Sequence, residues 1–253
     1  AIVPIEVTQD TVLSKCDFFS DLHVWPLRQK ITPQKWLTNL EGSENVHAVY
    51  LRNSFIYISG DLSNQLFRSA FHGLCNELYT RTSAGNCKTI WSDFVRNVVF
   101  THVTGEQPST TDSGLTYARR TKKQLSVPES HILDNADTLK KITTEPRDVV
   151  FVDDFVGSGN QFIKTWTRKH RIGSERISFE DLARQGYPKS FFYIPLVSTD
   201  YGYKRIHDAH SDVKLLPAHI MGNQYSGFNL MSRRVLPVPN PPRPHELCAT
   251  PES

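Results

Sequence analysis

The sequence predicts an α/β protein in which a core built on a parallel sheet follows a mainly helical N-terminal region. Apolar residues recur at helical spacing up to about residue 96, and short apolar runs alternate with helical segments after it. Prolines accumulate near the C-terminus. We therefore divide the 253 residues into a helical region, 1–96, an α/β core, 97–236, and a proline-rich tail, 237–253.

Two segments indicate that the first region is helical. The segment PQKWLTNL places Trp36, Leu37 and Leu40 on one helical face. Residues 61–81 carry a longer apolar stripe, which predicts a core helix capped by Asp61 or Ser63.

The core alternates strands with helices, which is typical of parallel βαβ units. The predicted strands are NVVFTHV (97–103), SHIL (130–133), DVVFV (148–152), KSFFYIPLV (189–197) and DVKLLPAHIM (212–221). The predicted helices are LTYARRTKKQL (115–125), ADTLKKI (136–142) and NQFIKTWTRKH (160–170). In such sheets, ligands bind beyond the carboxyl ends of the strands. The tail is predicted to be extended, because proline sustains neither a helix nor a central strand.

Composition narrows the partners and the compartment. A net charge of +3 does not indicate a nucleic-acid partner, and no apolar run approaches the roughly 20 residues that span a membrane. Four cysteines without a C-x-x-C pair fit free thiols in a reducing cytoplasm. The segment HDAH, residues 207–210, is interpreted as a polar surface segment and not a metal site, because no third ligand is evident.

The segment VVFVDDFVGSGNQ carries the chemistry. A buried strand is predicted to end at Asp153 and Asp154, where neighbouring side chains point to opposite faces and should have different roles. Adjacent buried acids favour a partner with hydroxyls, a bound cation or a developing positive charge. The loop Gly157–Gln161 then opens a helix whose N-terminal amides favour an anion, with Ser158 and Asn160 adding donors. Together they predict a sugar-phosphate site. The loop contains neither G-K-[ST] nor G-x-G-x-x-G.

This segment resembles the signature of the type I phosphoribosyltransferases (PRTases), in which an apolar strand, two acids and a Thr-Gly-x-Thr loop follow one another. The segment 158–161, Ser-Gly-Asn-Gln, matches that loop, with Gln in place of the last Thr. The resemblance implies 5-phosphoribosyl 1-pyrophosphate (PRPP) or a nucleotide as ligand. The implied phosphate-binding residues are Val156, Gly157, Ser158, Gly159, Asn160 and Gln161. Asp153 and Asp154 are the implied catalytic residues, and they are also expected to contact Mg²⁺ indirectly.

The resemblance extends upstream. The segment TGEQPSTTDSGLTYARR follows a predicted strand, as the pyrophosphate loop does in that family, which implies pyrophosphate binding by Asp112, Ser113 and Gly114. Arg119 and Arg120 lie further into the same helix. For them, a role in pyrophosphate binding and a solvated helix face are interpretations of equal weight.

The longer sequence pattern, which also includes WLTNL and DSGLTYARR, resembles a narrower group of phosphoribosyltransferase-like proteins. Members of that group are predicted as effectors in bacterial conflict and antiphage systems. That resemblance implies protein partners in a defence system. Three functions stay open. The favoured one is a PRTase or a reverse enzyme that degrades a nucleotide. The others are a PRPP or nucleotide sensor and an unrelated kinase or phosphatase. An acceptor base would lie under the N-terminal helices or the segment STDYGYK, which carries Asp200, Tyr201 and Tyr203.

Overall fold

The computed structural model describes residues 7–38, 45–81, 86–105 and 113–226. These residues fall into two compact units. One contains the residues up to Leu62 together with those from Gly222, and the other is Ser63–Met221. The predicted tail, 237–253, lies outside the described residues. Within the described ranges, no helix combines the length and apolar character needed to cross a membrane.

The first unit is helical in its described part. Its helices include α1 (Gln9–Asp21), α2 (Pro33–Leu37) and α3 (Asn45–Asn53). The N-terminus of α1 is closed by a capping box between Thr8 and Thr11. The apolar core contains Val12, Cys16, Trp25, Leu37, Ala48 and Val49. Of the predicted helical face, Leu37 is buried and Trp36 is 38% exposed, whereas Leu40 lies outside the described residues.

The second unit is α/β. Its helices are α4 (Gly60–Thr80, which begins in the first unit), α5 (Cys87–Asn97), α6 (Ser113–Leu125), α7 (Asn135–Thr144), α8 (Asn160–Thr167), α9 (Phe179–Arg184) and α10 (Asp200–Ala209). Its strands are β1 (Val98–His102), β2 (Asp148–Val156), β3 (His170–Ile172), β4 (Glu175–Ile177), β5 (Phe191–Thr199), β6 (Val213–Leu215) and β7 (His219–Met221).

The helix predicted over residues 61–81 is confirmed as α4, but its predicted cap is wrong. The hydroxyl of Ser59 accepts a hydrogen bond from the backbone N–H of Leu62 at 3.1 Å. Ser63 is buried inside the helix, where its hydroxyl lies 2.9 Å from that of Tyr117. The capping residue is therefore Ser59, because the helix begins at Gly60, one residue before Asp61.

The described residues form a five-stranded parallel sheet, which confirms the predicted fold class. The strand order is β1-β2-β5-β6, and β7 pairs with the far end of β5. The strands β3 and β4 form a separate antiparallel hairpin. Parallel neighbours need long crossover connections, which the helices between the strands supply.

The strand β2 lies between two apolar cores, one on each face of the sheet. Val150 and Val152 pack in the cluster that contains the α4 side chains. Val149 and Phe151 pack on the other face with Trp166 of α8. Because alternate side chains are buried on opposite faces, the strand is apolar at every position from Val149 to Val152.

The strand predicted at residues 130–133 is wrong. Glu129–His131 form a short 3-10 helix, and Ile132 makes a single isolated bridge to Phe100 of β1. The segment is too short to pair further before the chain enters α7.

Prolines interrupt the sheet edge beside β5. The segment 212–221, predicted as one strand, forms the two short strands β6 and β7, with Pro217 between them. Pro195 lies inside β5, where its carbonyl accepts from the N–H of Ala218 at 3.3 Å. Its missing N–H falls at the gap between β6 and β7, so no pairing of those strands is lost.

Candidate functional site

The two acids lie inside β2 and not at its end. The apolar run predicts a strand that ends at Val152, but β2 continues to Val156. It continues because β5 runs beside it and pairs Phe155 with Val197 and Val156 with Ser198. Backbone pairing therefore outweighs the change from apolar to acidic side chains, and the glycine loop follows the strand directly.

Asp153 is the more buried of the two acids, since it is only 3% exposed whereas Asp154 is half-buried. Its Oδ2 accepts from the hydroxyl of Tyr193 at 2.8 Å, and its Oδ1 accepts from the N–H of Asp154 at 2.9 Å. Burial raises the pKa of the Asp153 carboxyl well above its ordinary 3.8, and the negative charge of Asp154 raises it further. The two acids therefore differ in burial and in their access to solvent.

The tyrosine beside Asp153 keeps its proton. Burial raises the pKa of the Tyr193 phenol well above its ordinary value, and the neighbouring Asp153 carboxylate raises it further. Its ring stacks on Phe162 of α8 at 4.2 Å between ring centroids. The hydroxyl is therefore a fixed donor aimed at Asp153.

The loop Gly157–Gln161 carries the chain from β2 into α8. Gly159 precedes the helix with φ of 79°, a left-handed conformation that favours glycine. The N–H of Ile163 bonds to the carbonyl of Gly159 at 3.0 Å. The amides before Ile163 belong to the first helical turn, which has no intrahelical acceptors for them. The predicted compact loop at a helix start is confirmed, while its ligand role stays a prediction.

A cavity of about 350 Å³ joins Asp153 to this loop. Its volume lies within the range of about 300–1,000 Å³ that is common for small-molecule sites. It is lined by Asp153, Phe155, Val156, Gly157, Ser158, Gly159, Asn160, Gln161, Phe162 and Tyr193. One of the two predicted acids and all six predicted phosphate-binding residues therefore share one cavity, and Asp154 does not line it.

Phe155 gives this cavity an exposed aromatic wall. Its side chain is 47% exposed, although it lies in a strand whose other apolar residues are buried. Sequence reasoning missed it because Phe in an apolar strand reads as core. The alternation of a strand could have found it, since residues two apart, here Asp153 and Phe155, share a face.

The junction of β5 and α10 supports the loop from behind. The hydroxyl of Thr199 donates to the carbonyl of Gly157 and accepts from the N–H of Gly202 at 3.0 Å. A Cβ on Gly202 would lie 2.4 Å from that same carbonyl oxygen, so only glycine allows this approach. Arg205 donates from Nη1 to the carbonyl of Ser158 at 3.1 Å. None of these residues carries a local sequence signal, because they lie some forty positions after the loop.

The predicted covering segment STDYGYK begins α10. Tyr203 is partly buried against the apolar cluster that contains Phe151. Its ring stacks on the ring of His207, with 5.9 Å between the ring centroids. Asp200 pairs with Lys204 at 2.8 Å within the helix. Tyr201 is 62% exposed and makes no ring contact among the described residues. Packing therefore accounts for Tyr203, and the base-covering role stays a prediction.

The predicted pyrophosphate subsite follows β1. Asp112 lies outside the described residues. Ser113 and Gly114 begin α6, two residues before the predicted helix start at Leu115. Their role toward pyrophosphate stays a prediction.

The first residues of the loop after β1 are hydrogen-bonded to α8 and to Arg168, which follows that helix. The N–H of Thr104 donates to Oγ1 of Thr165 at 3.1 Å. Arg168 donates to Oγ1 of Thr104 at 2.6 Å and to the carbonyl of Gly105 at 3.2 Å. The helix that begins at the glycine loop therefore also holds the first residues of the loop after β1.

Arg120 is a packing residue and not part of the cavity. Its Nη1 donates to the Ser63 hydroxyl at 2.9 Å and to Oδ1 of Asn64 at 3.2 Å, which joins α6 to α4. Its guanidinium lies 4.5 Å from the centre of the Tyr117 ring. Arg119 is exposed.

Metal ligands are sparse in the described part of the chain. Those residues contain no group of three or more His, Cys, Asp or Glu side chains arranged to hold an ion. In the segment HDAH, Nδ1 of His207 lies 3.2 Å from Oδ1 of Asp208. A cation near Asp153 and Asp154 would therefore need most of its ligands from water or a bound phosphate, which is common for Mg²⁺.

A family model described as PRTase-CE matches residues 33–247. An orotate phosphoribosyltransferase from Aeropyrum pernix is similar at 21% identity and a TM-score of 0.31, over 51% of this chain and 62% of that enzyme, which is less than two thirds of its length. The AQ2163 protein from Aquifex aeolicus is similar at 12% identity and a TM-score of 0.37, over 82% of this chain and 95% of that one. No curated protein matches.

Proposed function

The chain belongs to the PRTase-CE family, and we propose that it binds a ligand with a ribose 5-phosphate, either PRPP or a nucleotide. One observation carries the proposal: Asp153 lines the same cavity as the loop Gly157–Gln161 at the start of α8. Helix-start amides favour a phosphate, whereas a carboxyl group bonds sugar hydroxyls. A site that offers both groups suits a sugar phosphate better than it suits an anion alone or a sugar alone.

The 5-phosphate is assigned to residues 156–161 and the ribose to the two acids. Pyrophosphate is assigned to Ser113 and Gly114, with Asp112 beside them, because β1 and β2 are neighbours whose carboxyl ends lie at the same sheet edge. The bond from the Thr104 N–H to Thr165 of α8 supports this assignment, since the glycine loop leads into the same helix.

The proposed reaction is phosphoribosyl transfer. A base nitrogen forms a bond to the anomeric carbon of PRPP, the carbon–oxygen bond to pyrophosphate breaks, and the nitrogen's proton goes to solvent. Positive charge develops on the ribose during this step, as in other glycosyl transfers. Asp153, the acid that lines the cavity, is the group that we assign to stabilising this charge. It also positions the ribose, and the Phe155 ring offers a flat surface for the base.

Mg²⁺ would neutralise the leaving pyrophosphate in this reaction. The residues fit an indirect role only, because the cavity contains one carboxyl group and the described chain has no metal-binding cluster. Asp153 and Asp154 would then contact the ion only through its water molecules.

A sensor without turnover is the second candidate. The favouring observation is the buried Asp153, whose raised pKa opposes the negative charge that stabilises a cationic transition state. A binding module needs only the phosphate loop and a hydroxyl partner. Production of pyrophosphate separates the two functions.

The biological setting that we propose is bacterial antiphage defence, with protein partners from the same system. This proposal rests on the resemblance of the sequence motifs to the narrower group of phosphoribosyltransferase-like effectors, and not on the geometry of the cavity. Loss of protection against phage in bacteria that express Asp153→Asn/Asp154→Asn, at unchanged protein level, is the expected result. Equal protection by both proteins would contradict a role for this site in defence.

The first experiment is calorimetric titration with PRPP and Mg²⁺. Wild type should bind, and Asp153→Asn/Asp154→Asn should bind at least about tenfold more weakly, since hydrogen bonds to charged groups are worth roughly 1.5–3 kcal/mol each. The matched control is Asp208→Asn, which removes one exposed carboxylate next to His207 and should leave binding unchanged. Absence of binding to wild type at millimolar PRPP and nucleotide would refute the proposal.

Turnover is tested next by pyrophosphate release from PRPP with a panel of purine and pyrimidine bases. Release with one base, lost in the double variant, assigns the transferase. Tight binding without release for any base assigns the sensor. Hydrolysis of a nucleoside triphosphate without PRPP would instead favour an unrelated phosphate-binding enzyme.

A further inference from the structure

We propose that Arg205 of α10 is a positioning residue of the phosphate loop, which aims two successive loop amides into the cavity before a ligand binds. The inference rests on the proposed function for its ligand, but its structural part can be tested without one. It assigns a role to a helix that lies outside the sequence motif.

The contacts of Arg205 fix one peptide group. Its Nη1 donates to the carbonyl oxygen of Ser158 at 3.1 Å and to Oδ1 of Asn160 at 2.6 Å. The carbonyl of Ser158 and the N–H of Gly159 belong to one planar trans peptide and point in opposite directions. A carbonyl held toward α10 therefore turns the Gly159 N–H away from α10, and no residue of α10 is among the described residues that line the cavity.

Thr199 fixes the peptide before it in the same way. Its hydroxyl donates to the carbonyl of Gly157, which turns the N–H of Ser158 away from β5. The same hydroxyl accepts from Gly202, so it is held at the start of α10. Two consecutive carbonyls thus point to the β5–α10 junction, and two consecutive amides point the other way, which is the arrangement of an anion-binding nest.

The approach of α10 to the loop is tight enough to make these bonds specific. Ile206 lies directly under Gly159, with Cγ1 only 2.9 Å from where a Cβ would stand. A Cβ on Gly202 would lie 2.4 Å from the carbonyl oxygen of Gly157 and 2.8 Å from Cγ1 of Val156. Residues 156–161 contain no Lys or Arg, so Arg205 also supplies a positive charge behind the amides.

Arg205 is exposed, and exposed charged contacts add little to global stability. Its effect should therefore appear in the order of the loop and in phosphate affinity, with the melting temperature nearly unchanged. Lys204 provides a matched control: it is an exposed cation on the same helix, and it pairs with Asp200 and not with the loop.

The structural test is hydrogen exchange of the ligand-free protein, read on peptides that cover residues 156–162. Arg205→Gln should exchange severalfold faster there than wild type, because both carbonyl and side-chain anchors are lost. Lys204→Gln should match wild type. Unchanged exchange in Arg205→Gln, or the same increase in both variants, would overturn the inference.

The ligand test is calorimetry with ribose 5-phosphate and with ribose. Arg205→Gln should weaken ribose 5-phosphate binding by about tenfold and leave ribose unaffected, and Arg205→Lys should recover part of the loss. An equal loss in Lys204→Gln would mean that only net charge matters and would overturn the inference. If wild type binds neither these ligands nor PRPP or a nucleotide while exchange still responds to Arg205→Gln, the proposed function fails and the positioning role stands.

Discussion

Replacing Gly159 with alanine should destabilise the protein by about 2–5 kcal/mol, as the sum of backbone strain and overpacking. The φ of 79° at Gly159 is left-handed, and an L-residue there costs roughly 1–2 kcal/mol. The new Cβ would also lie 2.9 Å from Cγ1 and 3.1 Å from Cδ1 of Ile206. Ile206 is fully buried, so it has no free space to move into, and such overpacking costs about 1–3 kcal/mol.

The chain contains a control that separates the two contributions. Gly186 has a φ of 76°, but a Cβ there would meet nothing within 4 Å. Gly186→Ala should therefore lose only the strain term, roughly 1–2 kcal/mol. The difference between the two variants measures the contact with Ile206.

The assay is urea unfolding followed by circular dichroism, with the free energy of unfolding extrapolated to water for each variant. The double variant Gly159→Ala/Ile206→Ala should lose less than the sum of the single variants, because the contact that costs energy is removed. Equal losses for Gly159→Ala and Gly186→Ala, or strict additivity of the double variant, would refute the packing argument.

Three further results are expected. The raised pKa of Asp153 means that its folded carboxyl holds a proton more tightly than the unfolded one, so its contribution is complete below about pH 3.8 and is lost as the pH rises through the folded pKa. The melting temperature of Asp153→Asn relative to wild type should thus increase from about pH 4 to about pH 8, and a pH-independent difference would contradict this. Tyr193→Phe should cost about 1–3 kcal/mol in urea unfolding, because a buried oxygen of Asp153 loses its donor; a loss below the error of the measurement would count against that bond. Arg168→Gln should speed hydrogen exchange at Thr104 and Gly105 while Lys169→Gln, a neighbouring cation, does not, and equal exchange in both would contradict the link between the loops.

Local sequence determined the parts of the site that depend on neighbouring residues. The apolar run of β2, the paired acids, the glycines of the loop and the start of α8 are contiguous, and each has a short-range physical cause in side-chain alternation, glycine conformation or helical spacing. The parallel sheet was predictable as well, because strands that alternate with helices need crossover connections.

Only the tertiary structure decided which of these groups meet. The strand β5 extended β2 past the acids, and it brought Tyr193 to Asp153 but not to Asp154. The junction of β5 and α10 brought Thr199 and Arg205 to the carbonyls of the loop, and packing against α4 paired Arg120 with Ser63. These contacts join residues about forty or more positions apart, so they depend on strand order and helix packing, and no local pattern in the sequence encodes them.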